Sequence, residues 1–203
     1  SRGEPTMHKK FTEMLEYCTD KFYEIKINTN AIFLTEDLIH TILKCKINVV
    51  VFSVDAYNEE WYKKIRLSDK FDLVVDNVKK FHEIRKIYYP DNFTVTRAHC
   101  VKVFDDFEDD KFFSFWGSMV DDVSLIPSIS RWDSYNNEYT YKTTPCETGL
   151  DKMYIWHDGT TNPCDFDYKS YLSSGNVKTN SQGLVVPSCQ IYILSRPVSQ
   201  GVV

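Results

Sequence analysis

Apolar residues alternate between two periods along the first 127 positions. Phe11, Met14, Leu15, Cys18 and Phe22 recur at helical spacing and predict a helix over about residues 7–20. Residues 24–28 read as a short strand. Thr35 is a good N-cap, and a helix should follow through Leu38, Ile39, Ile42 and Leu43. Residues 48–53, Asn-Val-Val-Val-Phe-Ser, form a β-branched run suited to a strand buried on both faces. A short helix is expected over 58–66. Phe71, Val74, Val75, Val78, Phe81, Ile84 and Tyr88 mark a longer amphipathic helix ended by Pro90. Residues 94–103 read as a strand, 109–118 as a helix and 121–126 as a strand.

This strand–helix rhythm predicts the α/β class, with βαβ units and a parallel sheet. In such sheets ligands sit outside the carboxyl ends of the strands. Gly3-Glu4, Asn28 to Asn30, Ser53 to Asp55 and Arg97 to Cys100 fall at or near those ends. The opening Arg2-Gly3-Glu4-Pro5 combines a bendable residue, a carboxylate and a stiffening proline. A turn of that kind needs a strand before it, so the chain is expected to start in mid-fold.

The rhythm breaks after Pro127. Residues 128–144 are polar and rich in Ser, Tyr and Asn, which suggests a linker. Met153 to Trp156 and Thr160 to Cys164 flank Asp158-Gly159, a strong β-hairpin signal, and Cys146 and Cys164 bracket the segment. The net charge of −5, without a basic cluster, argues against a nucleic-acid partner. No apolar run is long enough to span a membrane, and no secretory segment follows the start. Six cysteines in an unsignalled chain point to reduced thiols, some of them metal-bound, and to the cytoplasm.

Taken in order, these motifs resemble the radical S-adenosylmethionine (SAM) enzymes. Arg2-Gly3-Glu4-Pro5 resembles the family's Gly-Gly-Glu motif. Asn28-Thr29-Asn30-Ala31 resembles its third-strand motif. Phe52-Ser53-Val54-Asp55-Ala56, trailed by Arg66, resembles the ribose motif of the fourth strand, and Thr96-Arg97 to Val101 stands where the fifth-strand motif belongs. Cys146-x12-Gly159-x4-Cys164 is similar to the start of a SPASM domain, the small module that holds auxiliary iron–sulfur clusters in many relatives. The resemblance implies a partial (β/α) barrel over 1–127, a linker over 128–144, a truncated SPASM-like module over 145–181 and an atypical tail over 182–203. Three departures stand out. The Cys-x3-Cys-x2-Cys loop for the radical-generating 4Fe–4S cluster is not in the sequence. His99 and Cys100 replace small residues and would crowd the adenine side. The later SPASM cysteines are missing. One explanation for the tail is a frameshift near residue 182: codons GGA-CTT-GTG-GTC-CCx for Gly183 to Pro187, read one base later, spell Asp-Leu-Trp-Ser, as the family pattern wants.

The implied function is reductive cleavage of SAM at a 4Fe–4S cluster, followed by hydrogen abstraction from a peptide or small-molecule substrate, with electrons from a donor such as flavodoxin or ferredoxin. Gly3, Glu4, Pro5, Asn30, Ser53, Asp55, Arg66 and Arg97 would bind SAM, and Cys146 and Cys164 would ligate an auxiliary cluster. Each residue also has a plainer reading. Glu4 suits a helix N-terminus, and Ser53 and Asp55 suit a strand-end turn. Arg66 suits a surface helix end, and Asn30 a loop that bonds itself. Two other functions fit less of the chain: a non-catalytic scaffold of the same fold, and an iron-independent lyase with Glu4 or Asp55 as base.

Overall fold

A computed structural model describes residues 3–128, 152–167, 169–179 and, for the backbone, 190–194. It divides into two compact units, Glu4–Ser128 and one made mainly of Ile129–Val203.

The first unit holds helices α1 (Phe11–Cys18), α2 (Glu36–Lys44), α3 (Glu59–Arg66), α4 (Phe71–Tyr88) and α5 (Asp109–Gly117). Its strands are β1 (Lys26–Thr29), β2 (Val49–Ser53), β3 (Val95–Lys102) and β4 (Asp122–Pro127). The strands form one parallel sheet in sequential order. Local chemistry sets the helix starts: the Thr35 hydroxyl accepts from Leu38 N, and the Asn58 side chain accepts from Trp61 N. The first predicted helix is shorter than its apolar spacing suggested. Pro5–Met7 is a separate 3-10 turn, and α1 stops at Cys18, where the Thr19 hydroxyl donates to Leu15 O and Asp20 turns to φ +60°. Phe22 therefore lies beyond the helix and is half exposed rather than part of a buried stripe.

The two sheet faces are unlike. Ile27, Val50, Phe52, Ala98 and Cys100 join one core cluster with Phe11, Leu38, Ile42, Val74, Phe81, Phe112 and Trp116 from the helices. Strand alternation sends Asn28, Ser53, Arg97, His99, Asp122 and Ser124 to the other side. Parallel sheets are normally apolar on both faces. This polar second face is what the inner wall of a ligand-holding barrel requires.

At the N-terminal end of β3 and β4, Arg85 of α4 forms a two-pronged pair with Asp121 (2.6 and 2.8 Å) and donates to Thr94 O. Arginine has no acceptor, so Arg85 must donate to His82 Nδ1 (3.1 Å). Neutral His82 then carries its proton on Nε2 and donates to the Thr96 hydroxyl (3.0 Å), which donates in turn to Asp121 (2.7 Å). Burial and the neighbouring Arg85 hold His82 below its ordinary value of 6.5. Burial works against the Asp121 carboxylate, but Arg85 and the Thr96 N–H and hydroxyl outweigh it and hold the group well below its usual 3.8. Both depressed values mean that the unfolded chain binds more protons, so stability is present at neutral pH and lost on acidification. We expect the urea midpoint to fall as pH drops below about 6.5 and again below about 4, the ordinary His and Asp ranges. The variant His82→Gln should flatten the first limb. A midpoint constant between pH 7 and 5 in the unaltered protein would contradict this.

In the second unit β5 (Lys152–Trp156) pairs antiparallel with β6 (Thr160–Asn162), as the Asp-Gly signal predicts. Gly159 has φ +91° and donates to Trp156 O, and a Cβ there would come within 2.6 Å of Asn176 Oδ1, so only glycine fits. Two-residue β7 (Gly175–Asn176) extends the sheet beside β6. The tail after residue 181 is not wholly without structure: β8 (Gln190–Leu194) pairs parallel with β5. Its Ile-Tyr-Ile-Leu stretch has the β-branched and aromatic character that a strand favours. Residues 129–144 of the linker, Cys146 and the proposed frameshift point lie outside the described residues.

Candidate functional site

Two clusters gather at the C-terminal side of the first sheet, and a third lies on its open face, where Arg97 is the third residue of β3 and Asp122 the first of β4, not at the strand ends expected for Arg97. The first centres on Glu4, the N-cap of the 3-10 turn. Its Oε1 accepts from Thr6 N (3.1 Å), the Thr6 hydroxyl (2.6 Å) and the Thr29 hydroxyl (2.7 Å). Its Oε2 accepts from Asn30 N at 2.6 Å. The predicted pair Glu4 and Asn30 thus meets through a side chain and a backbone N–H. The Asn30 side chain bonds its own loop, accepting from Ile32 N (2.9 Å), as its plainer reading anticipated. Gly3 has φ +126°, outside the range that L side chains favour, and Pro5 is the first residue of the 3-10 turn. A carboxylate has about four acceptor positions, and Oε1 is crowded while Oε2 keeps one free.

The second cluster joins Ser53, Asp55 and Arg66. The chain leaves β2 through Asp55 in the left-handed region (φ +54°), a conformation Asp tolerates better than most residues. Asp55 Oδ1 accepts from Val101 N (2.8 Å), and Oδ2 pairs with Arg66 at 2.6 Å. The same Arg66 nitrogen donates to Ser53 O (2.6 Å), while Arg66 Nε is buried without a hydrogen bond. Asp55 is therefore a structural clasp between β2, β3 and α3. Each of its oxygens holds one protein donor.

The third cluster lies on the open face. Arg97 pairs with Asp122 across adjacent strands, one rung away from the row Ser53, His99 and Ser124. His99 Nδ1 sits 3.4 Å from the Ser124 hydroxyl. Burial is the main reason its ring stays below the usual histidine range. Asp55 pulls the other way, and Lys26, Arg97 and Arg66 add to the depression. Cys100 corrects an expectation. It faces the helices, fully buried, and its thiol donates to Asp55 O (3.6 Å), so it cannot crowd a ligand on the open face. Burial, helped by Asp55 and Asp109, pushes that thiol up to about 12.

Cys164 follows β6, half-buried, its sulfur accepting from Phe166 N at 3.4 Å. Its predicted partner Cys146 lies outside the described residues. Among the described residues, no three His, Cys, Asp or Glu side chains gather in a metal-holding group. No described helix is long and apolar enough to cross a membrane.

Motif reading did not single out Thr6, Asp122 or the Thr29 hydroxyl. The signal for Thr29 was present: strand alternation puts it on the buried face, where a hydroxyl needs a partner.

The family model described as "Radical SAM superfamily" matches residues 1–106. A protein of Saccharolobus solfataricus described as "Probable GTP 3′,8-cyclase" is 28% identical over 103 residues, covering 50% of this chain and 33% of its own length. One of Methanocaldococcus jannaschii with the same description is 35% identical over 81 residues, covering 39% and 27%. The crystal structure of Streptococcus suis SuiB bound to S-adenosylmethionine shares the fold, with TM-score 0.57 and 14% identity over 80% of this chain and 48% of that one. The match thus spans about a third of the first cyclase and about half of SuiB.

Proposed function

Since this chain belongs to the radical SAM superfamily, we propose that it forms the SAM-holding part of an oxidoreductase or maturase acting on a peptide or another bulky substrate. Members of the superfamily are enzymes that use SAM, a 4Fe–4S cluster, an electron donor and a substrate. The observation that carries the reading is Glu4. Its carboxylate is aimed by Thr29 and Asn30 at the end of β1, with one acceptor position at Oε2 still free.

The residues present fit SAM. Glu4 Oε2 would take the ligand's ammonium by a charge-assisted hydrogen bond. Ser53 would face the ribose hydroxyls, with Asp55 setting the turn beside it. Arg66, anchored through one terminal nitrogen to Asp55 and Ser53 O, would orient the methionine carboxylate with the rest of its planar fork. Gly3 and Pro5 would shape the backbone around the ammonium, and Arg97 would line the inner wall beneath the adenosyl group. When bound, SAM and its cluster supply the radical that abstracts hydrogen; the protein positions them. The six cysteines include no Cys-x3-Cys-x2-Cys, so these 203 residues do not themselves supply that cluster's thiolates.

We assign Cys164 and Cys146 to an auxiliary cluster of a SPASM-like module. The hairpin supports this, because it sets Cys164 two residues beyond the end of β6, a suitable mount for a thiolate ligand. Replacing either cysteine with serine should lower the iron content of the full-length protein.

The test is anaerobic reconstitution of the full-length protein with iron and sulfide, followed by reduction and measurement of 5′-deoxyadenosine. Candidate peptides form one substrate arm. GTP forms another, because the relatives are described as GTP cyclases. We expect 5′-deoxyadenosine above a no-protein control. Its absence, with the fold intact, would favour the non-catalytic scaffold.

A further inference from the structure

Two non-glycine backbones turn left-handed at the strand ends just described: Ala31 (φ +62°) after β1 and Asp55 (φ +54°) after β2. Such conformations are costly away from glycine and persist only where the surroundings hold them. Each turn also carries a carbonyl out of the sheet ladder into the core, where it needs a donor. The structure supplies one in the same way at both places. Asn77 of α4, 9% exposed, donates its amide to Ala31 O (2.8 Å) and Ile32 O (3.3 Å). Trp116 of α5, fully buried, donates its indole N–H to Ala56 O (2.7 Å). In each case the donor comes from a helix of the crossover that follows the next strand, α4 between β2 and β3 and α5 between β3 and β4, and in each case the pinned residue adjoins a group of the site. Asn30 N, which aims Glu4, precedes Ala31; Asp55, which holds Arg66, precedes Ala56.

Building on the SAM site assigned above, we propose that Asn77 and Trp116 are paired positioning residues: buried pins that fix the two strand-end turns and, through them, the groups that bind SAM. Neither touches the ligand. Each acts by satisfying a carbonyl that would otherwise pull its turn toward another conformation or toward water.

The variants are Asn77→Leu and Trp116→Phe, which remove the donor and keep much of the volume, and Val78→Ala, a packing control on the same helix with a fully buried side chain. The first measurement is amide hydrogen exchange of the full-length protein without SAM. Asn77→Leu should speed exchange at residues 30–32 and leave 55–57 unchanged; Trp116→Phe should do the reverse. Uniform acceleration through the sheet, as expected for Val78→Ala, or no local change would overturn the pins. The second measurement is SAM affinity of the cluster-loaded protein. Each pin variant should bind about tenfold more weakly, as when a buried acceptor is left unsatisfied; Val78→Ala should bind as the unaltered protein does. The double variant Glu4→Ala/Asn77→Leu should bind no more weakly than Glu4→Ala alone. Unchanged affinity in both pin variants, or additive losses in the double variant, would overturn the positioning role. Failure of the unaltered protein to bind SAM would instead overturn the site assignment, and the exchange measurement separates the two failures. Should Asn77→Leu not fold, Trp116→Phe carries both measurements, being the milder change.

Discussion

Replacing Glu4 with alanine in the full-length protein is expected to weaken SAM binding about tenfold to a hundredfold. A charge-assisted hydrogen bond to an ammonium contributes roughly 1.5–3 kcal/mol, which is that range of affinity. The structure adds a second cost. Thr29, Asn30 N and Thr6 all donate to this carboxylate, so its loss leaves the end of β1 without its organising acceptor. Glu4→Gln separates the two effects poorly, because an amide would turn its NH2 toward one of those donors. Calorimetric titration with SAM is the check. Unchanged affinity, with only the thermal midpoint lowered, would leave Glu4 as an N-cap and nothing more.

Asp55→Ala should be the most destabilising change in the site, lowering unfolding free energy by about 2–4 kcal/mol. Removing one partner of a well-buried pair costs about 3–5 kcal/mol. Asp55 is 14% exposed and Arg66 30%, so solvent relieves part of the loss. Val101 N loses its acceptor, and an alanine must then hold the φ of +54° that aspartate tolerates. Asp55→Asn also removes the charge opposite Arg66 but keeps an acceptor and the turn, so it should cost less than Asp55→Ala, about 1–2 kcal/mol. Urea denaturation at pH 7 distinguishes them. Equal midpoints for the two variants would show that the neutral acceptor and the turn add nothing, and that the charge opposite Arg66 carries the whole effect.

Four strands and five helices of the first unit were legible because their signals are local. The run over 48–53 is β-branched, the stripe from Phe71 to Tyr88 keeps one helical period, and Thr35 and Asn58 cap the helices they precede. The Asp-Gly turn announced the hairpin for the same reason. Phe22 failed because apolar spacing counts residues but cannot see Thr19 and Asp20 ending the helix. The strand at 190–194 was missed because its partner, β5, lies far away in sequence.

The candidate site divides along the same line. Sequence alone determined that Asn30, Ser53 and Asp55 stand at strand ends, and with Glu4 their order carries the family resemblance; Arg97, expected near such an end, is instead the third residue of β3. Only the tertiary structure decided what each one meets. Arg66 reaches back thirteen positions to Ser53, Asp55 crosses to Val101, and Glu4 to Thr29. The folded chain also turns Cys100 away from the ligand face and brings Asn77 and Trp116 beneath the two turns. Periodicity fixes the face on which a side chain emerges. Its partner across a sheet or a crossover depends on register and packing, which no local window of residues contains.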